Sequence, residues 1–551
     1  MENYLIKAVS SDEKVFIDTD VSTLRTLGTL PVFADETARF QLVFTADTPR
    51  FRRNAYKCEL AVEGDLAPYA KLYNVEQVPV RMPVYMENTD TDYVRTAPGL
   101  YPDPLIPRIE GEKLAFVKDE PRAVFVKISS ADGLPAGSHK LVFKAVDGEE
   151  TLAETSVEVF VIGEKLGKLP ICHTEWFHAD CLAQYYNVEC WSERHWEIVE
   201  SFLRTAAECH VNTILTPVFT PPLDTAVGGE RLTTQLVDVY YKNGEYSFGF
   251  DKLARWVDVC HACGIEYFEI CHFFTQWGAG HAPKIMAHTD SGYRKIFGWE
   301  TEASGEEYSA FLRAFIPELL KFFEERGLGK KLFFHISDEP QLKDLENYTK
   351  ARSVVSGLLK GYTVIDALSK YEFYETGVVD KPIPATNHTD EFIEHKVPDL
   401  WVYYCCSQYE NVSNRFLSMP GRRTRVIGAQ MYKYDVKGFL HWGFNFYNSR
   451  YSVKAIDPYL ETCGEYFTPA GDCFLVYPSR DGKAYSSLHC EHFVEGLDDL
   501  RALKKCEEKF GREKTLELLE NAGSELTFMT YPKDDAYLPG IRQKIYDLFA
   551  E

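Results

Sequence analysis

Beyond residue 170, amphipathic helices and short apolar strands alternate along the sequence, and this alternation restricts the possible folds more than any other feature. Apolar residues recur at helical spacing in residues 193–209 and 251–263, and an apolar strand follows each segment. Strands and helices in strict alternation build a parallel sheet. Because the alternation runs for about 300 residues and lacks the glycine-rich phosphate loops of nucleotide-binding folds, we expect a (β/α)8 (TIM) barrel rather than an open sheet.

Short apolar segments mark the strands of this expected barrel. They are residues 213–216, 265–273, 331–336, 362–366, 400–405 and 438–442. Two further helices are predicted, one with apolar positions between Tyr308 and Phe322 and one over residues 487–510 that closes the barrel.

The first part of the chain shows a different pattern, in which short alternating segments are separated by turns. The predicted strands there are residues 115–117, 123–128, 140–145 and 155–161. Antiparallel strands at this spacing are typical of a β-sandwich. The expected domains are an N-terminal β-sandwich over residues 1–167, a catalytic barrel over residues 168–511 and a C-terminal helical tail over residues 512–551.

Composition limits the classes of partner and the expected location. A formal net charge of −23 argues against nucleic acid, which needs a basic face. No stretch approaches the roughly 18 apolar residues of a membrane span, and the first residues lack the pattern of a secretory signal. The 14 cysteines show no disulfide rhythm, so we expect a cytoplasmic protein with reduced thiols.

The sequence gives little support for a metal or a cofactor. Residues 260–263 (Cys-His-Ala-Cys) lie on a predicted helix without a second cysteine pair, which favours core packing. The 15 histidines show no His-Glu-x-x-His pattern, and no Gly-x-Ser-x-Gly nucleophile motif occurs. We therefore expect chemistry by side chains alone.

The candidate catalytic feature is the adjacent pair Asp338 and Glu339, directly after the predicted strand 331–336. The carboxyl ends of barrel strands face the active site. Two neighbouring carboxylates in a partly dry site repel each other, which raises the pKa of one and suits a general acid. Alternatively, Asp338 caps the next helix and Glu339-Pro340 forms its first turn. Spacing alone leaves both interpretations open.

Five segments carry a family resemblance. They are residues 174–178 (TEWFH), 216–225 (TPVFTPPLDT), 268–278 (FEICHFFTQWG), 333–340 (FFHISDEP) and 491–499 (EHFVEGLDD). Together they resemble glycoside hydrolase family 123, the β-N-acetylgalactosaminidases, in which an Asp-Glu pair ends a barrel strand. The similarity covers most of the chain after residue 170, and the family also has a β-sandwich in front.

The resemblance implies a retaining exo-β-N-acetylgalactosaminidase that releases terminal β-linked N-acetylgalactosamine from an oligosaccharide or a glycolipid glycan. In its substrate-assisted mechanism, the 2-acetamido oxygen of the substrate attacks the anomeric carbon and forms an oxazolinium intermediate. Glu339 would protonate the leaving oxygen and later activate water. Asp338 would hold the acetamido N–H and stabilise its developing positive charge.

Residues near other strand ends are candidates for substrate binding. The candidates are His272, Gln276 and Trp277 after the second strand, Trp442 and Asn445 after the last, Trp176 within the first family segment, and His335 inside its strand. His272 and His335 are equally well explained as structural histidines. Tyr403 or Tyr404 would donate a hydroxyl to the acetamido carbonyl, and strand alternation allows only one to face the barrel axis; we favour Tyr403.

Two other functions fit the same residues. An ordinary retaining glycosidase acts on a sugar without an acetamido group and needs two carboxyl groups about 5 to 5.5 Å apart. Its second carboxylate would come from another strand, with Glu269 and Glu175 as candidates. A glycan-binding protein on a decayed enzyme scaffold is the third possibility, against which the intact Asp338-Glu339 pair argues.

Overall fold

The computed structural model describes residues 4–47, 56–520 and 524–550, and its first part is built of strands that pair mostly antiparallel. These strands are β1 Tyr4–Ser10, β2 Thr29–Phe33, β3 Ala38–Ala46, β4 Tyr56–Glu63, β5 Ala70–Val80, β6 Gly99–Pro107, β7 Leu114–Phe116, β8 Arg122–Ile128, β9 Gly137–Asp147 and β10 Glu150–Ile162. They form two five-stranded sheets of order β1-β3-β8-β5-β6 and β2-β10-β9-β4-β7. Phe40 of the first sheet packs against Phe143 of the second, with ring centroids 5.6 Å apart, inside one buried core.

The remainder of the chain alternates strands and helices. Its strands are β11 Cys172–Glu175, β12 Thr213–Thr216, β13 Asp238–Lys242, β14 Glu245–Gly249, β15 Tyr267–Ile270, β16 Ile285–Thr289, β17 Gly292–Phe297, β18 Leu332–Phe334, β19 Thr363–Ala367, β20 Lys381–Ile383, β21 Trp401–Tyr403, β22 Gly438–His441, β23 Tyr477–Pro478 and β24 Ala484–Tyr485. Its helices are α1 Ala179–Tyr185, α2 Glu193–Glu208, α3 Asp251–Cys263, α4 Glu306–Glu324, α5 Leu345–Ser356, α6 Glu372–Glu375, α7 Asp390–Glu394, α8 Gly421–Arg425, α9 Ile427–Lys433, α10 Leu488–Phe510, α11 Arg512–Glu517 and α12 Tyr537–Ala550. Among the helices of the described residues, none has the length and apolar character needed to cross a membrane.

Eight parallel strands form a barrel in chain order. They are β11, β12, β15, β18, β19, β20, β21 and β22, and β22 returns to pair with β11. Between β20 and β21 the pairing is reduced to one parallel bridge that joins Ala385 to Tyr403. All residues of β18 and β21 are buried, since the barrel strands of such folds are covered by helices outside and by packed side chains inside. The predicted (β/α)8 barrel is therefore confirmed in its architecture.

The predicted strands at the site are longer than the observed ones. The strand predicted over residues 265–273 spans only Tyr267–Ile270, and the strand predicted over residues 331–336 spans only Leu332–Phe334. The loops that follow these strand ends contribute Gln276, Trp277, Asp338 and Glu339 to the cavity described below. Helix α3 has the predicted bounds, and Gly264 ends it with a φ of 96°.

Helix α10 connects the barrel to the N-terminal sheets through buried ion pairs. Glu491 accepts hydrogen bonds from Arg39 of β3 and Lys127 of β8, each at 2.8 Å, and Arg39 also donates to Asp498 at 2.8 Å. Burial disfavours the Glu491 carboxylate, but the two cations outweigh it and lower the pKa of Glu491 to about 2. The negative charge of Glu491 therefore holds two elements of the N-terminal sheet against the helix that closes the barrel.

Replacing Glu491 by glutamine is expected to lower the free energy of unfolding by about 3 kcal/mol at pH 7, because two cations lose their buried partner. Because its pKa is lowered on folding, Glu491 stabilises the folded protein fully at pH values above its ordinary pKa of 4.5. This contribution is lost as the pH falls toward 2. The difference from the wild type, measured by urea unfolding, should therefore shrink below pH 4.5. Glu318→Gln, on an exposed position of α4, is the matched control. Equal losses in both variants would contradict the prediction.

Candidate active site

Asp338 and Glu339 lie in the loop after β18, at the face of the barrel where the strands end. Glu339 has a φ of 42°, in the left-handed region that residues other than glycine rarely adopt. Its N–H donates to the carbonyl of Ala367 at 3.2 Å, and the Asp338 carbonyl accepts the N–H of Trp277 at 3.0 Å. Such unfavourable backbone geometry persists where the surrounding structure holds it, and it is concentrated at functional sites.

The alternative role of Asp338 as a helix cap does not fit the structure. Helix α5 begins only at Leu345, and a short turn over Leu342–Asp344 precedes it. The capping interactions of that turn come from Gln341 and Asp344. Asp338 is thus left free to face the cavity beside it.

A cavity of about 210 Å³ lies at the carboxyl ends of the barrel strands, and both carboxylates line it. Its walls include the aromatic side chains of Trp176, Trp277, Tyr403 and Trp442. The indole N–H of Trp442 donates to Asp472 at 2.9 Å, which fixes the orientation of that ring. Aromatic faces with a few polar groups between them are typical of sites that bind sugars and other small polar molecules.

Tyr403, rather than Tyr404, faces the cavity. The Tyr403 hydroxyl donates a hydrogen bond to Oε1 of Glu339 at 2.7 Å. The Tyr404 ring points away and packs against Phe439, with centroids 5.0 Å apart. Strand alternation therefore resolves the two neighbours as the sequence analysis favoured.

Burial and mutual repulsion dominate the electrostatics of the carboxylate pair. Burial, followed by the charge of Glu339, raises the pKa of Asp338 well above its usual range. Burial also raises the pKa of Glu339, whereas the hydrogen bond from Tyr403 opposes that rise. The two groups titrate as a unit, which retains a proton at pH values where an exposed pair would have none. A protonated carboxyl near neutral pH is what a general acid requires.

The structure brings five of the eight substrate-binding candidates to the cavity and leaves three outside its lining. Those that line it are Trp176, Gln276, Trp277, Tyr403 and Trp442. Those that do not are His272, His335 and Asn445.

His335 and His272 belong to a buried network inside the barrel. His335 contacts Glu269 through Nε2 and Asp366 through Nδ1, the latter at 3.3 Å. Burial disfavours the imidazolium, but these two carboxylates outweigh it and raise the pKa of His335 to about 9. His272 stacks on His335 with ring centroids 4.3 Å apart, and burial together with that positive neighbour lowers its pKa. Because Trp176 donates to Glu269 at 2.7 Å, the network also fixes one cavity wall.

Asn445 has a backbone role rather than a place in the cavity wall. Its side-chain oxygen accepts the N–H of His178 at 2.9 Å, and its amide donates to the carbonyl of the same residue at 3.1 Å. His178 itself lines the cavity, so Asn445 acts by holding this neighbour in place.

The two carboxylates proposed for an ordinary retaining mechanism are also outside the cavity lining. Glu269 is fully buried and occupied by the His335 network. Glu175 is fully buried and forms an ion pair with Arg415 at 2.7 Å. Neither reaches the space that Asp338 and Glu339 share.

Sequence reasoning missed Asp224, a third carboxylate that lines the cavity. Burial raises the pKa of Asp224 to about 6, against the attraction of Arg231 and Arg450. Asp224 lies in a loop after β12, where no hydrophobic period indicates which side chains point inward. Its position inside the family segment 216–225 was the one available signal.

Residues 176–506, more than half of the chain, match the catalytic domain of glycoside hydrolase 123. The chain belongs to glycoside hydrolase family 123. A family 123 glycoside hydrolase from Clostridium perfringens, whose structure was analysed for the details of glycolipid glycan hydrolysis, has the same fold. The two align over 100% of this chain and 99% of that one, with a TM-score of 0.75 and 13% sequence identity. Membership of this family makes the protein a glycosidase with a glycan substrate.

More distant glycosidase structures align with much lower scores. A family 39 glycoside hydrolase from Bacteroides cellulosilyticus covers 86% of this chain and 82% of its own, with a TM-score of 0.31 and 10% identity. A family 5 xyloglucanase from Bacteroides ovatus covers 85% and 98%, with a TM-score of 0.32 and 9% identity. No curated protein matches the sequence significantly.

Proposed function

We propose that this family 123 member is a retaining exo-β-N-acetylgalactosaminidase that uses substrate-assisted catalysis. The observation that carries the proposal is the arrangement of Asp338 and Glu339, which are adjacent in the chain and line one cavity. Consecutive residues suit an acid beside an acetamido holder, because the substrate supplies the nucleophile. The burial of Glu269 and Glu175 outside the cavity supports the same conclusion.

In this mechanism Glu339 protonates the leaving oxygen, and the carboxylate of Asp338 accepts the acetamido N–H. The Tyr403 hydroxyl, which donates to Glu339 in the free protein, turns to the acetamido carbonyl and orients its oxygen toward the anomeric carbon. Glu339 then loses a donor that stabilised its ionised form, and its pKa rises. Substrate binding thereby prepares the acid, and Glu339 returns as the base that activates water.

The size of the cavity supports exo action on one terminal residue. At about 210 Å³ it lies below the roughly 300 to 1,000 Å³ of sites for drug-sized ligands, so it suits a single pyranose. Trp277 lines the cavity and is 46% exposed, which suits a contact with the aglycone. An oligosaccharide or a glycolipid would present the terminal sugar, and the glycolipid glycan hydrolysis studied for the Clostridium perfringens relative supports this substrate class.

The proposal includes the domain organisation that the sequence predicts. The two N-terminal sheets would be the β-sandwich of residues 1–167, followed by the barrel of residues 168–511 and the helical tail of residues 512–551. The cytoplasmic location stays a prediction from the sequence.

The proposal is tested with 4-nitrophenyl β-glycosides of N-acetylgalactosamine, N-acetylglucosamine and galactose. We expect kcat/KM to be highest for N-acetylgalactosamine and at least about 10⁴-fold lower for galactose, because the galactoside lacks the intramolecular nucleophile, whose effective molarity is very high. Hydrolysis of the galactoside at a rate equal to or above that of the N-acetylgalactosaminide would overturn the mechanism. Turnover of none of them, with measurable sugar binding, would favour a glycan-binding protein.

Asp224 favours a second candidate function, an ordinary retaining glycosidase with Asp224 as its carboxylate nucleophile, because Asp224 and Glu339 line the same cavity. A 2-deoxy-2-fluoro-β-galactoside with a dinitrophenyl leaving group distinguishes the two mechanisms. It traps a covalent glycosyl-enzyme on Asp224 if that residue is the nucleophile, and mass spectrometry of the digested protein detects the adduct. Substrate-assisted catalysis leaves no adduct.

A further inference from the structure

Asp224 contributes a carboxylate to the cavity lining. Its Oδ2 accepts the N–H of Tyr451 at 2.9 Å, and its backbone carbonyl accepts the hydroxyl of Ser452 at 2.8 Å. The backbone of Asp224 is in the left-handed region, with a φ of 36°. The backbone N–H groups of Tyr451 and Ser452 both favour the ionised carboxylate and oppose the burial that raises the pKa of Asp224. The loop is thus anchored on the side of Tyr451 and Ser452, and the carboxylate of Asp224 lies in the cavity lining, where a ligand can contact it.

Gln276 also lines the cavity and carries a buried acceptor that has no partner among the described residues. Its amide N–H donates to the carbonyl of Thr225 at 2.9 Å, which ties Gln276 to the loop of Asp224. The residue is only 4% exposed, yet its Oε1 has no hydrogen-bond partner among the described residues. A buried acceptor without a partner costs free energy, so a ligand that brings a donor to it gains that energy on binding.

The cations near this wall do not occupy the two acceptors. Arg231 donates to both carboxylate oxygens of Asp180 at 2.7 Å and to Nδ1 of His178 at 3.0 Å. Arg450 lies over the rings of Tyr451 and Phe467, 4.7 and 5.8 Å from their centroids. Both cations attract Asp224 through space, which favours its ionised form. The wall therefore combines one anionic and one neutral acceptor and needs a ligand with neighbouring neutral donors.

We propose that Asp224 and Gln276 form a hydroxyl clamp that binds ring hydroxyls of the terminal sugar and determines specificity. This inference rests on the proposed function, in which Asp338 and Tyr403 hold the acetamido group. The hydroxyls left for the clamp are those at C3, C4 and C6, and at least one of them donates to Asp224. A carboxylate that accepts from a hydroxyl selects strongly against a sugar that lacks the hydroxyl, because the buried acceptor then stays unpaired.

The test crosses protein variants with deoxy substrates. Asp224→Asn keeps an oxygen for the N–H of Tyr451 and removes the charge, and Gln276→Leu removes the second acceptor at similar size. On the aryl N-acetylgalactosaminide, Asp224→Asn should lower kcat/KM by roughly 10- to 100-fold, the range expected for a hydrogen bond to a charged group. On the 3-, 4- or 6-deoxy analogue that lacks the partner hydroxyl, the same substitution should have almost no effect. Asp258→Asn, on an exposed position of α3, should be neutral on every substrate.

Equal losses for Asp224→Asn on the parent and on all three deoxy sugars would overturn the clamp and leave Asp224 a role in shaping its loop or as the nucleophile of the second candidate mechanism. A failure of the proposed function is distinguishable, since the wild type would then hydrolyse the galactoside at least as fast as the N-acetylgalactosaminide, or hydrolyse neither. In that case calorimetric binding of the methyl β-glycoside and its deoxy analogues tests the clamp without turnover. Affinity lost through Asp224→Asn for the parent and not for one deoxy analogue supports the clamp, and uniform affinity overturns it.

Discussion

Replacing Glu339 by glutamine is expected to lower kcat by about 10³- to 10⁴-fold on an N-acetylgalactosaminide with a poor leaving group, because the amide has no proton to give. The glutamine keeps the size of the side chain and an oxygen that accepts the hydroxyl of Tyr403. The fold should therefore be unaffected, and the Glu318→Gln control should retain full activity. Initial rates on 4-methylphenyl and 2,4-dinitrophenyl glycosides measure the effect.

The two leaving groups separate an acid from a residue that only binds. Dinitrophenolate leaves without protonation, so the first step of Glu339→Gln should be nearly normal on that substrate. The second step still lacks its base, and added azide should restore turnover because it attacks the intermediate without proton removal. Equal losses on both glycosides, without rescue by azide, would contradict the assignment of Glu339 as acid and base.

Much of the barrel was predictable because apolar residues recur at a regular helical spacing in its helices. Helix α3 shows apolar residues at helical spacing and a glycine at its end, and both signals are local. The strands β11 and β20 carried no such signal. β20 is three residues long and contains Pro382, so its place in the sheet depends on its neighbours in the barrel.

The sequence predicted active-site residues only where their position in the chain fixed the direction in which the side chain points. Asp338 and Glu339 follow a buried strand, and in this fold the end of a strand is the site. His335 precedes them by a few residues but lies in the barrel interior between Glu269 and Asp366. The network joins side chains from three different strands. A single sequence does not show at which level of the barrel each of these residues lies, so it did not predict the network. Asp224 was missed for the related reason that a loop has no period.

Replacing Asp338 by asparagine is expected to lower kcat/KM for the N-acetylgalactosaminide by about 10²- to 10³-fold, the loss typical of one preorganised electrostatic contact. The carboxylate of Asp338 faces an acetamido N–H that becomes positively charged as the oxazolinium ring forms. Asparagine has the same shape, but it lacks the charge that stabilises this nitrogen. Asp258→Asn is the control for the substitution itself.

If Asp338 has this role, its contribution to catalysis should depend on the acetamido group of the substrate. Successive fluorination of the N-acetyl methyl group weakens its oxygen as a nucleophile, so the wild-type rate should fall steeply along that series. A thiazoline analogue of the intermediate should bind tightly to the wild type and weakly to Asp338→Asn, because a mimic of the transition state shares the interaction that catalysis uses. A wild-type rate indifferent to fluorination would mean that the acetamido oxygen does not attack. Asp338 would then merely raise the pKa of Glu339, and the adjacency of the two carboxylates would serve acidity alone.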